Sequence, residues 1–206
     1  MKFDKYIPEL KVIFITADTG EGKTRLGYRV CEQLKKKLPV YLFKHPLKNK
    51  VDKLGFKNMY SIDELEDLNN ICLWIDEPQI VFPKYEKRGN IILNRLLSLS
   101  RQKDITLILS TSDTRYITAS EEFYVTTYLI KKIDYSMIKR GSKIRSIVND
   151  LKTITPEGYV DNIKSDEYVF YNRKLKKLNG KHRFKTPSFF NEELSKPFRS
   201  IPNHDS

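Results

Sequence analysis

The sequence has few cysteines and no long apolar run, and each shortage excludes a class of protein. The longest apolar run, residues 71–75, stops at Asp76, far short of the roughly 20 residues that a membrane-spanning helix needs. The first residues also lack the apolar segment of a signal peptide. Only two cysteines occur, Cys31 and Cys72, and both lie in apolar patterns. We therefore expect a reduced protein of the cytoplasm without a membrane span, in the host cytoplasm if the chain is viral.

Acidic side chains are scarce relative to basic ones. The 206 residues include 38 lysines and arginines but only 26 aspartates and glutamates, which leaves a formal net charge of +12. The excess is uneven, because residues 131–206 hold 17 basic and 9 acidic side chains and so contribute +8. A basic C-terminal third predicts a polyanionic partner, of which nucleic acid is the natural one. The alternative is a lysine-rich surface that only keeps the protein in solution.

The apolar pattern along the chain predicts alternating strands and helices. Five short apolar segments are predicted as strands: residues 11–16, 40–43, 71–75, 105–109 and 125–130. Helical spacing is found in residues 23–38, which Pro39 ends, and in residues 90–103. This alternation predicts an α/β fold, a three-layer sandwich around a mostly parallel sheet. Residues 44–60 are lysine-rich and predict an excursion on the surface.

The pattern weakens after residue 132. Residues 135–148 are typical of a helix, residues 167–171 of a strand, and the proline-containing segment from residue 187 onward of an extended tail. We expect a core over residues 1–132 and a basic extension over residues 133–206 that packs on it. The extension is a candidate contact for nucleic acid or for another subunit. Phe189 and Phe190 would pack either on the core or on a neighbouring subunit.

The best-defined motif follows the first predicted strand. Residues 17–24 end in Gly-Lys-Thr and match a phosphate-binding loop, with a buried strand before it and a helix after it. Lys23 would reach the β- and γ-phosphates, and the Thr24 hydroxyl would bind Mg²⁺. Backbone N–H groups of the loop and the helix N-terminus would face the phosphates. The predicted ATP-binding residues are Thr19, Gly20, Glu21, Gly22, Lys23, Thr24 and Arg25.

Two features of this loop depart from the usual pattern. Ala17 takes the place of the first glycine, a position that tolerates small residues because the later glycine and lysine form the cradle. Asp18 and Glu21 bring two carboxylates close to bound phosphates. We expect both carboxylates to face solvent or a neighbouring subunit.

A second motif lies at the end of the third predicted strand. The apolar residues 71–75 run directly into Asp76 and Glu77. Asp76 would hold Mg²⁺ opposite Thr24, and Glu77 would polarise the water that attacks ATP. A glutamate directly after the aspartate indicates the division of P-loop proteins with an extra strand between the loop strand and the acidic strand. With residues 105–109 as that strand, the predicted sheet order is 5-1-4-3-2.

Together these motifs resemble the FtsK–HerA group of P-loop ATPases, which are DNA pumps and include the genome-packaging ATPases of archaeal and membrane-containing viruses. The resemblance covers about residues 11–132. It implies ATP hydrolysis that drives translocation of double-stranded DNA, in the packaging or transfer of a viral or mobile-element genome. It also implies a homo-oligomeric ring, a hexamer or a pentamer.

The resemblance extends to the end of the fourth predicted strand. The hydroxyls of Ser110, Thr111 and Ser112 would face the γ-phosphate and the attacking water, with Thr111 and Ser112 as sensors. The family usually has glutamine at the position of Ser112, which is a departure in this chain.

An arginine from one subunit would complete the site of the next, as the resemblance implies. Arg101 matches the family's arginine before the fourth strand, so that Lys23, Glu77 and Arg101 are the predicted catalytic residues. Arg88 and Arg95 are weaker candidates. Two other functions stay open: a morphogenesis or assembly ATPase that does not act on DNA, and a nucleotide-binding, DNA-binding assembly protein without turnover.

Overall fold

One large mixed sheet organises the part of the chain that the structure describes. The structure is a computed structural model, and it describes residues 10–83, 87–138, 142–154, 160–173 and 177–195. The strands are β1 (Val12–Thr16), β2 (Val40–Phe43), β3 (Lys57–Met59), β4 (Cys72–Asp76), β5 (Thr106–Thr111), β6 (Thr127–Ile130), β7 (Glu167–Asn172) and β8 (Lys177–Arg183). The helices are α1 (Lys23–Leu34), α2 (Lys48–Lys53), α3 (Pro78–Val81), α4 (Lys87–Gln102), α5 (Ala119–Glu122), α6 (Lys143–Ile154) and α7 (Glu192–Ser195). None of the described helices is long and apolar enough to cross a membrane.

The strand order confirms the predicted core and enlarges it. Within the described residues the order is β3-β2-β4-β5-β1-β6-β7-β8. The five predicted strands, β6-β1-β5-β4-β2 in this order, are neighbours as predicted, and all their pairings are parallel. The short parallel strand β3 adds to one edge, and β7 and β8 add an antiparallel pair to the other. The sheet therefore continues from the predicted core into the C-terminal third.

The continuous apolar runs of the central strands have a simple cause. All five residues of β1 are buried, and alternate residues point to opposite faces of the sheet. Val12 and Phe14 belong to a core cluster that includes leucines of α4 and isoleucines of α6. Ile13 and Ile15 belong to a second cluster, with apolar residues of α1. Two separate cores on the two faces make the predicted three-layer arrangement.

Residues 44–60 are not a surface excursion, which corrects the prediction from their lysine content. They form α2 and the edge strand β3, and they bury His45, Val51, Phe56 and Met59. The lysines of this segment alternate with those buried side chains and point outward, so that composition alone hides the packed face. Amphipathic spacing, rather than lysine content, was the informative signal here.

The C-terminal third also differs from its prediction in two places. The segment predicted as one helix over residues 135–148 is a short 3-10 turn at Tyr135–Met137 followed by α6. The predicted extended tail is packed over residues 187–195, where Phe189 and Phe190 each lie 5.8 Å from the ring of Tyr28, centroid to centroid. Residues 196–206 lie outside the described part of the structure. The strand predicted at residues 167–171 is confirmed as β7.

Candidate nucleotide site

The loop between β1 and α1 needs both of its glycines for its backbone conformation. Gly20 has φ of 86° and Gly22 has φ of 79°, values in the left-handed region that side chains with a Cβ disfavour. Gly22 lies at the N-terminal cap of α1, directly before Lys23. The Gly-x-Gly-Lys-Thr pattern therefore bends the chain from the buried strand onto the start of the helix.

The two acidic side chains of the loop contact the same chain, which corrects the expectation that they face solvent or another subunit. The Asp18 carboxylate accepts a hydrogen bond from the backbone N–H of Asp134 at 2.8 Å. The Asp18 N–H donates to the carbonyl of Lys132 at 2.9 Å. Glu21 forms an ion pair with Lys132 at 3.1 Å. Because β6 pairs with β1, the segment after β6 runs alongside the loop, and both carboxylates tie the loop to it.

The residues of the two sequence motifs converge at the carboxyl edge of the sheet. Thr24 donates from its hydroxyl to Oδ2 of Asp76 at 2.8 Å. The amine of Lys23, whose side chain is only 8% exposed, contacts Oε1 of Glu77 and lies 3.8 Å from Oδ1 of Asp76. Side chains that are 52 to 54 positions apart along the chain thus meet at one point. Their direct contact reflects the placement of β4 two strands from β1.

Asp76 is oriented by a residue that sequence analysis placed elsewhere. Ser110 was expected to face the γ-phosphate, but it is buried and donates from its hydroxyl to Oδ1 of Asp76 at 2.6 Å. The indole N–H of Trp74 donates to the same hydroxyl at 2.8 Å. Both carboxylate oxygens of Asp76 are therefore held, one by Ser110 and one by Thr24.

Glu77 has a backbone conformation that is unusual for a residue with a side chain. Its φ is 48° and its ψ is 61°, in the left-handed region, and its N–H donates to the carbonyl of Ser110 at 2.8 Å. Its carboxylate Oε2 accepts from the backbone N–H of Ser112 at 3.4 Å and from the side-chain amide of Gln79. Thr111 donates from its hydroxyl to the carbonyl oxygen of that amide at 2.7 Å.

These residues line a cavity of about 580 Å³. Six of the seven predicted nucleotide-binding residues line it: Thr19, Gly20, Gly22, Lys23, Thr24 and Arg25. The seventh, Glu21, does not, because its carboxylate is paired with Lys132. Asp76, Glu77 and Ser112 also line the cavity, whereas Thr111 reaches it through Gln79.

Several lining residues were missed from the sequence. Gln79 and Ile80 follow the acidic strand, and Gln79 could have been noticed as a polar residue two positions after Glu77. Ser165, Phe190 and Ser195 come from the C-terminal third, and no local pattern connects them with a loop about 140 residues earlier. These three residues therefore bring parts of the C-terminal third to the same cavity.

Arg25 is held by the C-terminal third. Its guanidinium donates to the carbonyl of Ser165 and lies 5.3 Å from the centre of the Phe184 ring. Lys131 is fully buried behind the loop; it donates to the same carbonyl at 2.8 Å and lies 4.9 Å from the same ring. Burial, reinforced by the nearby Arg25 charge, lowers the pKa of Lys131 to about 8. Arg25 and Lys131 thus join the start of α1 and the end of β6 to residues beside β7 and β8.

The two candidate trans-acting arginines whose side chains the structure describes lie in different surroundings. Arg101 does not line the cavity; it is in the last turn of α4, with its guanidinium 5.9 Å from the centre of the Tyr124 ring. Arg95 forms ion pairs with Asp63, at 3.0 Å, and with Glu66. The side chain of Arg88 lies outside the described part of the structure. Neither Arg95 nor Arg101 is therefore brought to the cavity of its own chain.

The fold and the placement of the two motifs define a P-loop NTPase class of structure. No family model matches the chain. No curated protein matches it either. Solved structures do match, and three of them share 14% or 15% of their residues with this chain.

These three solved structures illustrate the likeness. The genome packaging NTPase B204 from Sulfolobus turreted icosahedral virus 2, in complex with ATP-gammaS, has a TM-score of 0.59 and 15% identity over 84% of this chain and 96% of that chain. B204, the DNA-packaging ATPase from Sulfolobus turreted icosahedral virus, has a TM-score of 0.59 and 14% identity over 86% and 100%. The pCW3 conjugation coupling protein TcpA, in monomer form with ATPgS, has a TM-score of 0.60 and 14% identity over 94% and 65%. At identities of 14% and 15%, these likenesses show that the chain shares its fold with a genome packaging NTPase, a DNA-packaging ATPase and a conjugation coupling protein.

Proposed function

We propose that this chain is an ATPase and that ATP hydrolysis drives DNA translocation, in the packaging or transfer of a viral or mobile-element genome. The observation that carries the first part is the convergence of Lys23, Thr24, Asp76 and Glu77 in one cavity. A lysine, a hydroxyl and two carboxylates beside a glycine-rich helix start are the groups that phosphoryl transfer to water requires.

The donor set fits Mg²⁺. The Thr24 hydroxyl and Oδ2 of Asp76 lie 2.8 Å apart, and hard oxygen donors are the ligands this ion prefers. Thr24 would bind the ion directly, and Asp76 would hold it through its water shell. When bound, the ion would neutralise charge on the β- and γ-phosphates of ATP.

The other residues perform the reaction. The loop N–H groups and Lys23 bind the phosphates, while Glu77 accepts a proton from a water molecule. As that proton leaves, the water oxygen bonds to the γ-phosphorus, and the bond from this phosphorus to the bridging oxygen breaks. The products are ADP and inorganic phosphate. Lys23 contacts Glu77 in this structure, and the more highly charged phosphates would draw it away and free the carboxylate.

Charge and fold support the translocation part of the proposal. The net charge is +12, of which residues 131–206 contribute +8. The likeness in fold is to a genome packaging NTPase and to a conjugation coupling protein. In this proposal residues 1–132 form the ATPase core and residues 133–206 an extension that contacts DNA or another subunit. The buried free thiols of Cys31 and Cys72 suit a cytoplasmic location.

The ring part of the proposal assigns Arg101 to the site of a neighbouring subunit, in a hexamer or a pentamer. Its placement outside its own cavity is what such a role requires. Mixing Arg101→Ala with Lys23→Ala tests this assignment. In a mixed ring, an Arg101→Ala subunit has an intact cavity, and a neighbouring Lys23→Ala subunit supplies the intact arginine to it. Activity that returns on mixing two inactive variants supports the ring. Arg95→Ala, which removes intrachain ion pairs, is the matched control and should keep its turnover.

Steady-state ATP hydrolysis with and without double-stranded DNA tests the whole proposal. Lys23→Ala and Glu77→Gln should abolish turnover, whereas Lys53→Ala, at an exposed position in α2, should not. Stimulation of the wild type by DNA supports translocation. Turnover that ignores DNA favours a morphogenesis or assembly ATPase. ATP binding without turnover would refute the proposed ATPase activity and would favour a nucleotide-binding, DNA-binding assembly protein.

A further inference from the structure

Both oxygens of the Glu77 carboxylate are engaged, and by groups of different kinds. Oε1 contacts the amine of Lys23. Oε2 accepts from the Gln79 amide and from the backbone N–H of Ser112. The first partner is a cation, and the other two are neutral donors.

The two sides of the carboxylate should respond differently when ATP binds. Lys23 is a mobile point charge, and triphosphate attracts it more strongly than one carboxylate does. The amide of Gln79 and the backbone N–H of Ser112 carry no net charge, so the triphosphate does not draw them away from Oε2. Binding of ATP would therefore free Oε1 and leave Oε2 held.

The direction of the Gln79 amide is determined by its own hydrogen bonds. The backbone N–H of Asp113 donates to the hydroxyl oxygen of Thr111 at 3.0 Å, so the single hydroxyl hydrogen is available for another acceptor. That acceptor is the amide oxygen of Gln79, 2.7 Å from the hydroxyl oxygen. With its oxygen held by Thr111, the amide must turn its NH₂ group toward Glu77.

We infer that Gln79 is a positioning residue for Glu77, which holds Oε2 so that Oε1 faces the attacking water. This inference rests on the proposed function, because it concerns the hydrolytic step. It also assigns Thr111 an indirect role, since its hydroxyl orients the amide. Ser112 contributes its backbone N–H to the same oxygen, and that bond, at 3.4 Å, is too long to hold the carboxylate alone.

The test compares Gln79→Ala with wild type in kcat, in KM and in the Kd for a fluorescent ATP analogue. Without the Gln79 amide, the Glu77 carboxylate can rotate away from the attacking water. We therefore expect kcat to fall about 10- to 100-fold. KM and Kd should stay within about 2-fold, because the phosphate-binding groups are untouched. Gln102→Ala, at an exposed position at the end of α4, is the matched control and should behave as wild type.

A second variant gives a readout that a purely structural role would not move. Gln79→Glu keeps the size and shape of the side chain but replaces the neutral donor by a carboxylate, which repels Oε2 instead of holding it. We expect kcat to fall at least as far as in Gln79→Ala, although a purely structural role would tolerate this isosteric change. Thermal unfolding of both variants checks that each is folded.

Three outcomes would overturn the inference. Unchanged kcat in Gln79→Ala would show that Ser112 suffices, and higher kcat would show that Gln79 restrains Glu77. An increase in KM at constant kcat would make Gln79 a substrate-binding residue instead. If the wild type hydrolyses ATP and Gln79→Ala equals it, only this inference fails. If the wild type does not hydrolyse ATP, the proposed function fails with it.

Discussion

Gly27 of α1 lies directly against the indole ring of Trp74 in β4. A Cβ atom on residue 27 would lie 2.4 Å from Cζ2 and 2.8 Å from Cε2 of that ring, well inside van der Waals contact. The ring has little freedom to move, because its N–H donates to Ser110 and the ring of Tyr28 lies 4.7 Å away, centroid to centroid. This contact brings the helix that follows the phosphate loop close to the strand that carries Asp76.

Gly27→Ala should therefore destabilise the protein, although alanine normally favours a helix. We expect a loss of about 1 to 3 kcal/mol in the free energy of unfolding, from overpacking against Trp74. Urea denaturation measures it. In a double-mutant cycle with Trp74→Phe, the smaller ring should recover part of the loss. Equal or greater stability of the single variant would show that α1 can shift outward without cost.

Ser110→Ala should lower the apparent affinity for Mg²⁺ during turnover. The Ser110 hydroxyl orients one oxygen of Asp76, and loss of such a supporting hydrogen bond typically lowers metal affinity about 10- to 100-fold. The Mg²⁺ concentration for half-maximal hydrolysis should rise accordingly, with saturating Mg²⁺ restoring most of the rate. Ser98→Ala, on the exposed side of α4, is the control. An unchanged Mg²⁺ titration would mean that Thr24 alone positions Asp76.

At position 77, glycine should suit the backbone conformation best, whereas activity requires the carboxylate of glutamate. Its left-handed backbone costs a residue with a Cβ about 1 kcal/mol relative to glycine. Glu77→Gly and Glu77→Ala both remove the carboxylate and should both be inactive, but the glycine variant should be the more stable by that amount. Urea denaturation of the pair decides the point. Equal stabilities would indicate that this backbone relaxes when the carboxylate is gone.

His45 should make the protein sensitive to acid. It is 4% exposed, its Nδ1 accepts from the N–H of Leu47 at 3.2 Å, and its Nε2 lies 2.9 Å from the hydroxyl of Tyr28. Burial lowers its pKa from 6.5 to about 4. Between those values the unfolded chain binds a proton that the folded chain does not, so stability is full above pH 6.5 and is lost as the pH falls toward 4.

The loss attributable to His45 is about 3 kcal/mol over that interval, by the linkage of pKa shift to stability. His45→Gln should remove this part of the pH dependence while sharing the rest with wild type. Parallel urea titrations at pH 7 and pH 5 measure the difference. If both proteins lose the same stability, the imidazole is not the titrating group.

The features that were best predicted from the sequence are each encoded by a short stretch of consecutive residues. The apolar run of β1, the Gly-Lys-Thr motif and the Asp76–Glu77 pair each occupy fewer than ten consecutive residues. Such patterns indicate buried parallel strands and a phosphate loop without knowledge of the rest. Residues 44–60 were predicted wrongly because their lysines outnumber the few residues that α2 and β3 bury.

The partners of the motif residues were not predictable in the same way. Ser110 reaches Asp76 because β4 and β5 pair in a register that sets these two residues side by side. A shift of that register by one residue would turn Ser110 to the other face of the sheet. Gln79 reaches Glu77 because the left-handed backbone at residue 77 folds the chain back on itself.

The class of fold and the lysine, hydroxyl and carboxylates of the candidate site could be predicted from the amino-acid sequence. Those features follow from local spacing, since a buried strand, a tight glycine turn and a helix start are short-range structures. Three features became visible only in the folded protein: Asp18 and Glu21 hold the segment after β6, Ser110 orients Asp76, and Ser165 and Phe190 line the cavity. Those contacts depend on strand register and on packing between distant segments, and hydrogen bonds across a sheet are set by geometry that no single segment contains.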